Sequence, residues 1–348
     1  MTKSLLGLFA AASLAVLAAC SETPEGEGAP PADAGEINLY SSRHYDTDLA
    51  LYDDFTKATG IKVNRIEADA DALIERIQSE GEFSPADLLI TVDAGRLWRA
   101  EEAGIFASVD SPVLKERLPA HLRHPDGLWF GLSTRARIII YNKAKGVPEG
   151  LSSYADLAKP AFKGQICVRS SSNIYNISLL SSVIAHKGAA EAEKWAKGVV
   201  ANFARPPEGN DTSNIDAVAS GECRISVVNT YYLARYAGDP EKKAVFDAIG
   251  VIFPDQDGTG THVNISGAGL VKTAPNRANA IKFLEYLTEE KAQRYFADGN
   301  NEYPAVIGLK ANSAVEKLGT FKPDTLNAAD IGKGQAEAVK IFDRAGWK

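Results

Sequence analysis

The sequence has little cysteine or methionine, no excess of positive charge and no long hydrophobic run beyond its first 19 residues. Of its 348 residues, three are cysteine and one is methionine. The 38 Lys and Arg residues are outnumbered by 45 Asp and Glu residues, so the formal net charge is −7. Affinity for nucleic acid depends on neutralising phosphates with basic residues, so we predict no nucleic-acid partner. We also predict no transmembrane helix, which would need roughly 20 apolar residues.

Local motifs of the common enzyme classes are also missing. The chain contains no nucleophile elbow, no His-Glu-x-x-His zinc helix and no Walker glycine loop. Paired acidic residues such as Glu101 and Glu102 are typical of a solvated helix face rather than of an acid/base pair. We therefore predict that the protein is not an enzyme.

The N-terminal 1–19 segment has the pattern of a signal peptide. Lys3 precedes a 15-residue run, Leu5–Ala19, that is apolar at all but two positions. The run ends in Leu-Ala-Ala-Cys at Cys20, which resembles the lipobox of bacterial lipoproteins. We expect cleavage before Cys20 and a lipid on its thiol, followed by a flexible linker over 20–35. The alternative is an ordinary cleavage site with a coincidental cysteine.

A signal peptide and lipid anchor predict a location in the periplasm or at the outer face of the cytoplasmic membrane. That compartment is oxidising. The two remaining cysteines, Cys167 and Cys223, each lie beside a β-rich run. We expect a disulfide between them if those strands are neighbours, and two buried free thiols if they are not.

The body of the chain alternates β-rich and amphipathic helical segments. Strand-like runs at 37–40, 61–66 and 88–90 are each followed by a helical pattern, and the same rhythm returns over 165–236. At about 150 residues per domain, the length suggests two domains. The pattern predicts an α/β fold of two lobes, each with a central, mostly parallel sheet flanked by helices.

Two extended stretches, 133–141 and 263–271, are expected to pass from one lobe to the other. Two α/β lobes joined by extended crossings describe a clamshell. Such a fold binds its ligand in the cleft between the lobes.

Tyrosines follow three of the predicted strands, at the junction with the next helix. They are Tyr45, which His44 precedes, then Tyr175, and then the pair Tyr231 and Tyr232. In open α/β sheets, ligands bind beyond the carboxyl ends of the strands, where these junctions lie. A single tyrosine would be predicted to be a packing residue. Three equivalent positions drawn from both lobes favour a shared role in ligand binding.

Phenolate oxygen is a hard, anionic donor that suits the hard cation Fe(III). A free tyrosine has a pKa of about 10, so its ionisation at neutral pH needs a strong positive charge, which a bound metal supplies. Fe(III) with four tyrosinates carries one net negative charge, and Arg235, three residues after Tyr232, would neutralise it. Further candidates for this neutralising charge are Arg43, Arg135 and Arg137. Aromatic recognition of a sugar or an organic cation is the alternative.

Residues 36–348 resemble the periplasmic ferric-iron-binding proteins of ABC transporters, within the type II periplasmic substrate-binding proteins. Four sequence motifs carry the resemblance. They are Asn38-Leu39-Tyr40-Ser41-Ser42-Arg43-His44-Tyr45, Gly164-Gln165-Ile166-Cys167-Val168-Arg169-Ser170, Gly221-Glu222-Cys223-Arg224 continuing to Asn229-Thr230-Tyr231-Tyr232, and Gly260-Thr261-His262-Val263-Asn264-Ile265-Ser266-Gly267.

The resemblance implies a type II clamshell with lobe 1 formed by 36–133 plus 258–308 and lobe 2 by 134–257 plus 309–348. It also implies which side chains hold and surround the iron, in some members with an accessory anion or water completing the shell. The implied metal ligands are His44, Tyr45, Tyr175, Tyr231 and Tyr232, and the implied outer charges are Arg43, Arg135 and Arg235.

The function implied by the resemblance is capture of Fe(III) outside the cytoplasm and its delivery to an ABC permease and its ATPase. The iron is then the transported ligand, and we expect the protein to be a monomer held at the membrane by its lipid anchor. The alternative function is binding of an organic solute, namely a polyamine, thiamine or a sugar phosphate, on the same fold.

Overall fold

The computed structural model describes residues 34–43 and 45–348. The predicted signal peptide, the predicted lipidation site Cys20, most of the predicted linker and the predicted ligand His44 lie outside these described residues. None of the helices within 34–43 and 45–348 has both the length and the apolar character needed to cross a bilayer.

The described residues form ten strands and fourteen α-helices, joined by short 3-10 turns. The strands are β1 Glu36–Ser41, β2 Lys62–Glu67, β3 Leu88–Val92, β4 Phe106–Ala107, β5 Phe130–Asn142, β6 Ile166–Cys167, β7 Ile225–Asn229, β8 Ile249–Ile252, β9 Val263–Val271 and β10 Tyr303–Pro304. The helices are α1 Asp46–Thr59, α2 Ala70–Glu80, α3 Ala94–Glu102, α4 Pro112–Arg117, α5 Ile174–Lys187, α6 Ala189–Ala201, α7 Asp211–Ser220, α8 Thr230–Gly238, α9 Lys243–Ala248, α10 Arg277–Tyr286, α11 Glu290–Arg294, α12 Ser313–Glu316, α13 Ala328–Lys333 and α14 Gln335–Ala345. A π-helical turn, Tyr295–Gly299, continues α11.

The strands join in the order β2-β1-β3-β9-β5-β7-β6. The pairs β1–β2, β1–β3 and β6–β7 are parallel, whereas every pair made by β5 or β9 is antiparallel. The α/β class is confirmed, but the sheet is mixed rather than mostly parallel, which corrects that part of the prediction. The reason is that β5 and β9 pass along the middle of the sheet against the direction of the strands beside them.

Strand β5 connects separate hydrophobic cores. Its first residues, including Phe130 and Leu132, are buried in a core formed with α1, β3 and α10. Further along, Ile139 faces a second core and Ile138 and Ile140 face a third, on the opposite side of the sheet. This alternation follows from the two-residue repeat of a strand. One strand therefore links the packing of the first half of the chain to that of the second.

The C-terminal segment is shared between these cores. Ala328, Ala329 and Ile331 of α13 pack in the first core, and Ile341 and Phe342 of α14 pack in the second. The connection between α13 and α14 therefore lies where the two packing units meet.

Cys167 and Cys223 form a disulfide, with Cα atoms 5.9 Å apart. Cys167 ends β6, and Cys223 lies two residues before β7. Strands β6 and β7 are parallel neighbours, with Cys167 opposite Ser226. The strand pairing on which the expected disulfide depended is thus present.

Candidate metal centre

Each of the predicted tyrosines lies at the beginning of a helix that follows a strand. Tyr45 immediately precedes α1, Tyr175 is the second residue of α5, and Tyr231 and Tyr232 follow the first residue of α8. The side chain of Asn173 caps α5 by accepting a hydrogen bond from the backbone N–H of Tyr175, at 3.2 Å. Helix beginnings carry a partial positive charge, which favours an anionic phenolate there.

The structure brings these tyrosines to one place. A cavity of about 510 Å³ is lined by Tyr45, Tyr175 and Tyr232. The Tyr231 hydroxyl donates a hydrogen bond to the Tyr175 hydroxyl, at 3.1 Å. The rings of Tyr231 and Tyr232 lie 4.3 Å apart between centroids. Side chains from the ends of β1, β6 and β7 therefore converge, while His44 lies outside the described residues.

Burial keeps the phenols of Tyr45, Tyr175 and Tyr231 protonated in the absence of a cation. It raises the pKa of Tyr45, with the Glu302 carboxylate adding to the effect. Burial and the neighbouring Tyr232 raise the pKa of Tyr175 to about 12. Burial, followed by Tyr175 and Tyr232, raises the pKa of Tyr231 well above its usual value. Only a strongly attracting ligand would draw these protons off at neutral pH.

Two of the predicted arginines form a buried network behind Tyr45. The Arg43 guanidinium donates to Asp48 at 2.9 Å and to Glu302 at 3.1 Å, and its central carbon lies 4.9 Å from the centroid of the Tyr45 ring. Arg135 donates to Glu302 at 3.1 Å, while its Nε and Nη1 are buried without a hydrogen-bond partner. The Asp48 and Glu302 carboxylates thus offset the charges of these two arginines.

Arg235 differs from these two arginines because it is exposed. Its guanidinium carbon lies 5.3 Å from the ring centroids of both Tyr231 and Tyr232. Within the described part of the chain it makes no ion pair, and it lines the tyrosine cavity. Its charge is therefore available to an anionic cluster in the cleft.

No sequence pattern marks Asp211, the carboxylate that organises the other side of the cleft. Asp211 is fully buried and accepts from Arg137 at 2.7 Å and from Arg169 at 3.3 Å. It also accepts from the backbone N–H of Asn229 at 2.7 Å. Both guanidinium groups lie within 6 Å of the Tyr175 ring, at 5.8 and 5.4 Å. No spacing in the sequence connects Asp211 to Tyr175. Of its two arginine partners, only Arg169 lies in a motif that carries the family resemblance, the one at 164–170.

A cation in this cleft would meet oxygen donors of phenol type. Over residues 34–43 and 45–348, no three or more His, Cys, Asp or Glu side chains are grouped so as to hold a metal ion. The cavity is also lined by Glu67, Asp69 and Arg96, so its rim carries both signs of charge. Convergent phenols beside helix beginnings suit a hard, highly charged cation.

The chain is similar to bacterial solute-binding proteins, including proteins named for iron uptake and ferric iron binding. The family model for bacterial extracellular solute-binding proteins matches residues 83–323. The chain is 53% identical over 336 residues to iron uptake protein A1 of Synechocystis, covering 96% of this chain and 93% of that protein. It is 27% identical over 318 residues to the major ferric iron-binding protein of Neisseria meningitidis, covering 90% and 93%.

A solved structure is also similar over nearly the whole described body. It is the Trichodesmium protein IdiA, or FutA, in complex with iron and citrate ligands, with a TM-score of 0.87 and 59% identity. The match covers 90% of this chain and 100% of that one.

Proposed function

Because this chain belongs to the bacterial extracellular solute-binding protein family, we propose that it captures ferric iron in the tyrosine-lined cleft for transport. The convergence of Tyr45, Tyr175 and Tyr232 on one cavity, with the Tyr231 hydroxyl hydrogen-bonded to that of Tyr175, carries this proposal. Relatives named for iron uptake and for ferric iron binding, aligned over most of their length, support it.

The four tyrosines are the proposed ligands of the iron. Tyr175 and Tyr231 support this role because their hydroxyl oxygens, 3.1 Å apart, already point at each other. The raised pKa values of these buried phenols mean that binding Fe(III) would release their protons. His44 is proposed as a further ligand, with an accessory anion or water as the alternative occupant of that position.

Arg235 is the proposed counter-charge of the iron–tyrosinate cluster. Fe(III) with four tyrosinates leaves one net negative charge in the cleft. Arg43 and Arg135 are already offset by Asp48 and Glu302. Arg235, at 5.3 Å from two of the rings, is the arginine that would compensate the remaining charge.

Capture is proposed to occur by closure of two lobes. The proposed lobe 1 comprises 36–133 plus 258–308, and the proposed lobe 2 comprises 134–257 plus 309–348. Helix α13 departs from this division, because its apolar residues pack in the first core. Tyr45 would then reach the iron from lobe 1, and the other tyrosines from lobe 2. The iron favours closure because it binds the closed state better than the open one.

Delivery completes the proposed function. An ABC permease with its ATPase would accept the iron-loaded monomer and move the ion inward.

A lipid on Cys20 would hold the protein in the periplasm or at the outer face of the cytoplasmic membrane. The N-terminal sequence pattern supports this anchor, and metabolic labelling with a radioactive fatty acid, compared between the natural chain and Cys20→Ser, would test it.

The proposal is tested by loading the metal-free protein with ferric nitrilotriacetate and removing unbound iron by gel filtration. We expect one iron per chain, removable by excess chelator. Spermidine, thiamine and a sugar phosphate should each leave the loading of the protein with iron unchanged. Stabilisation by one of these solutes together with no retained iron would contradict the proposal in favour of an organic ligand.

A further inference from the structure

A second cavity, of about 590 Å³, lies at the far end of α5 from the tyrosines. His186 of α5 lines this cavity, whereas Tyr175 of the same helix lines the cleft. Eleven residues at a rise of about 1.5 Å each separate the two positions by roughly 16 Å. The second cavity is therefore separate from the proposed iron site, and its volume falls in the range of pockets that hold small organic molecules.

Two aromatic side chains form the apolar wall of the second cavity. Tyr154 and Trp195 are 6% and 7% exposed. The Trp195 indole N–H donates to the Tyr154 carbonyl oxygen at 2.7 Å. The Tyr154 hydroxyl donates to the Arg137 carbonyl oxygen and accepts from the backbone N–H of His262. Because their polar atoms are satisfied within the protein, what these side chains offer a ligand is their aromatic surface.

Two carboxylates line the same cavity. Asp324 is largely buried and pairs with His186 at 2.7 Å. One oxygen of Asp255 accepts from the backbone N–H of Tyr154 at 3.2 Å. In the part of the chain that the structure describes, Asp255 makes no ion pair. Burial raises the pKa of Asp255, and the nearby Asp156 and Asp324 carboxylates add to this effect, whereas the Tyr154 N–H and Lys187 oppose it.

A buried imidazole nitrogen without a hydrogen-bond partner adds a further polar group. His262 is 3% exposed, and its Nδ1 has no hydrogen-bond partner. Burial lowers the pKa of His262 to about 4, so its ring is neutral at neutral pH. A neutral imidazole cannot compensate the carboxylates, but it can hydrogen-bond to a polar ligand.

The lysines that line the second cavity form no ion pair with Asp255, so a positively charged ligand could do so. Lys194 pairs with Glu191 at 2.6 Å, and both side chains are exposed. Lys187 also lines the cavity and lies near enough to lower the pKa of Asp255 without forming an ion pair with it. Over the described residues, no three or more His, Cys, Asp or Glu side chains are grouped so as to hold a metal ion, so an organic cation is the proposed occupant.

We propose that this second cavity binds a small organic ammonium ion with an apolar body. Its ammonium group would lie beside Asp255 and Asp324, and its body would pack on Tyr154 and Trp195. A cation on an aromatic face is attracted to the ring, and this attraction grows as water is excluded. The ligand would also supply the positive partner that a partly buried carboxylate requires.

The probe for this proposal is benzylammonium, compared with benzyl alcohol, which is neutral and of similar shape. Binding of each to the iron-loaded protein is measured by ligand-observed NMR. We expect benzylammonium to bind with a dissociation constant below 1 mM, and benzyl alcohol to bind at least tenfold more weakly, on the usual scale for a charge-assisted contact. Equal binding of the two probes, or no binding of benzylammonium at 10 mM, would overturn the proposal.

Three variants test whether benzylammonium binds in the second cavity. Asp255→Asn keeps the side-chain shape, and asparagine tolerates the backbone at φ 61°, so the fold should persist while affinity falls about tenfold. Ala155→Trp, at an exposed position on the cavity wall, should abolish binding by filling the space. Asp257→Asn is the matched control, exposed and two residues from Asp255, and should change nothing. Equal losses at 255 and 257 would show that the probe responds only to overall charge.

Discussion

Arg235 provides a quantitative test of the charge balance in the cleft. Its guanidinium carbon lies 5.3 Å from the ring centroids of Tyr231 and Tyr232. In the metal-free protein the raised pKa of Tyr231 keeps its phenol neutral, and Arg235 makes no ion pair within the described residues. With Fe(III) bound by four tyrosinates, one net negative charge faces it. Replacing Arg235 by glutamine should therefore weaken iron binding without changing the stability of the metal-free protein.

The size of the effect follows from Coulomb's law. Two unit charges about 5.3 Å apart interact by about 3 kcal/mol at an effective dielectric constant of 20 and by about 0.8 kcal/mol in bulk water. Arg235 is exposed, so the loss lies between these limits. At about 1.4 kcal/mol per factor of ten, Arg235→Gln should weaken Fe(III) binding by roughly fourfold to two-hundredfold.

The assay is competition for ferric iron against a chelator series, with the melting temperature of the metal-free protein measured in parallel. Arg76→Gln is the matched control, because Arg76 lies 5.2 Å from the ring centroid of Tyr40 on a different surface. We expect the control to bind iron normally. An unchanged iron affinity in Arg235→Gln, or an equal loss in Arg76→Gln, would refute the charge-balance reasoning.

Three further predictions concern the ligands, pH and the disulfide. Tyr231→Phe or Tyr232→Phe should cost far more iron affinity than Tyr236→Phe, measured by the same competition, and equal losses would indicate a folding effect. Because raised pKa values keep Tyr45, Tyr175 and Tyr231 protonated without metal, iron affinity should fall more than tenfold per unit decrease in pH. A pH-independent affinity would contradict tyrosinate ligation. Cys167 and Cys223 are 56 residues apart, and replacing both by alanine should lower the free energy of unfolding by about 4 kcal/mol. Denaturant titration measures this change, and an unchanged midpoint would contradict it.

Local sequence patterns predicted much of the fold because they record local physics. Helix α1 ends at Thr59, where Gly60 adopts φ 75° and its N–H bonds to the Thr56 carbonyl, as a C-terminal glycine predicts. The strand-to-helix junctions that carry the tyrosines are also local features. Their convergence could be expected because the ends of strands in an α/β sheet meet at one edge.

The remaining features depend on contacts between distant parts of the chain. Glu302 reaches Arg135 across 167 residues of sequence, and no periodicity marks that pairing. Asp211 resembles an ordinary helix-initiating residue until the fold brings two arginines to it. The antiparallel direction of β5 and β9 likewise depends on how the chain crosses between halves, which an alternation of strands and helices does not encode.

The central claim is that phenolate oxygens hold the iron, and the visible absorption spectrum of the iron-loaded protein tests it most directly. The spectrum is recorded together with iron analysis on protein purified without chelators. Tyrosinate ligation predicts an orange to purple protein, from charge transfer between phenolate and Fe(III), with a weaker or shifted band in Tyr232→Phe. A colourless protein containing one ferric iron per chain would contradict the account.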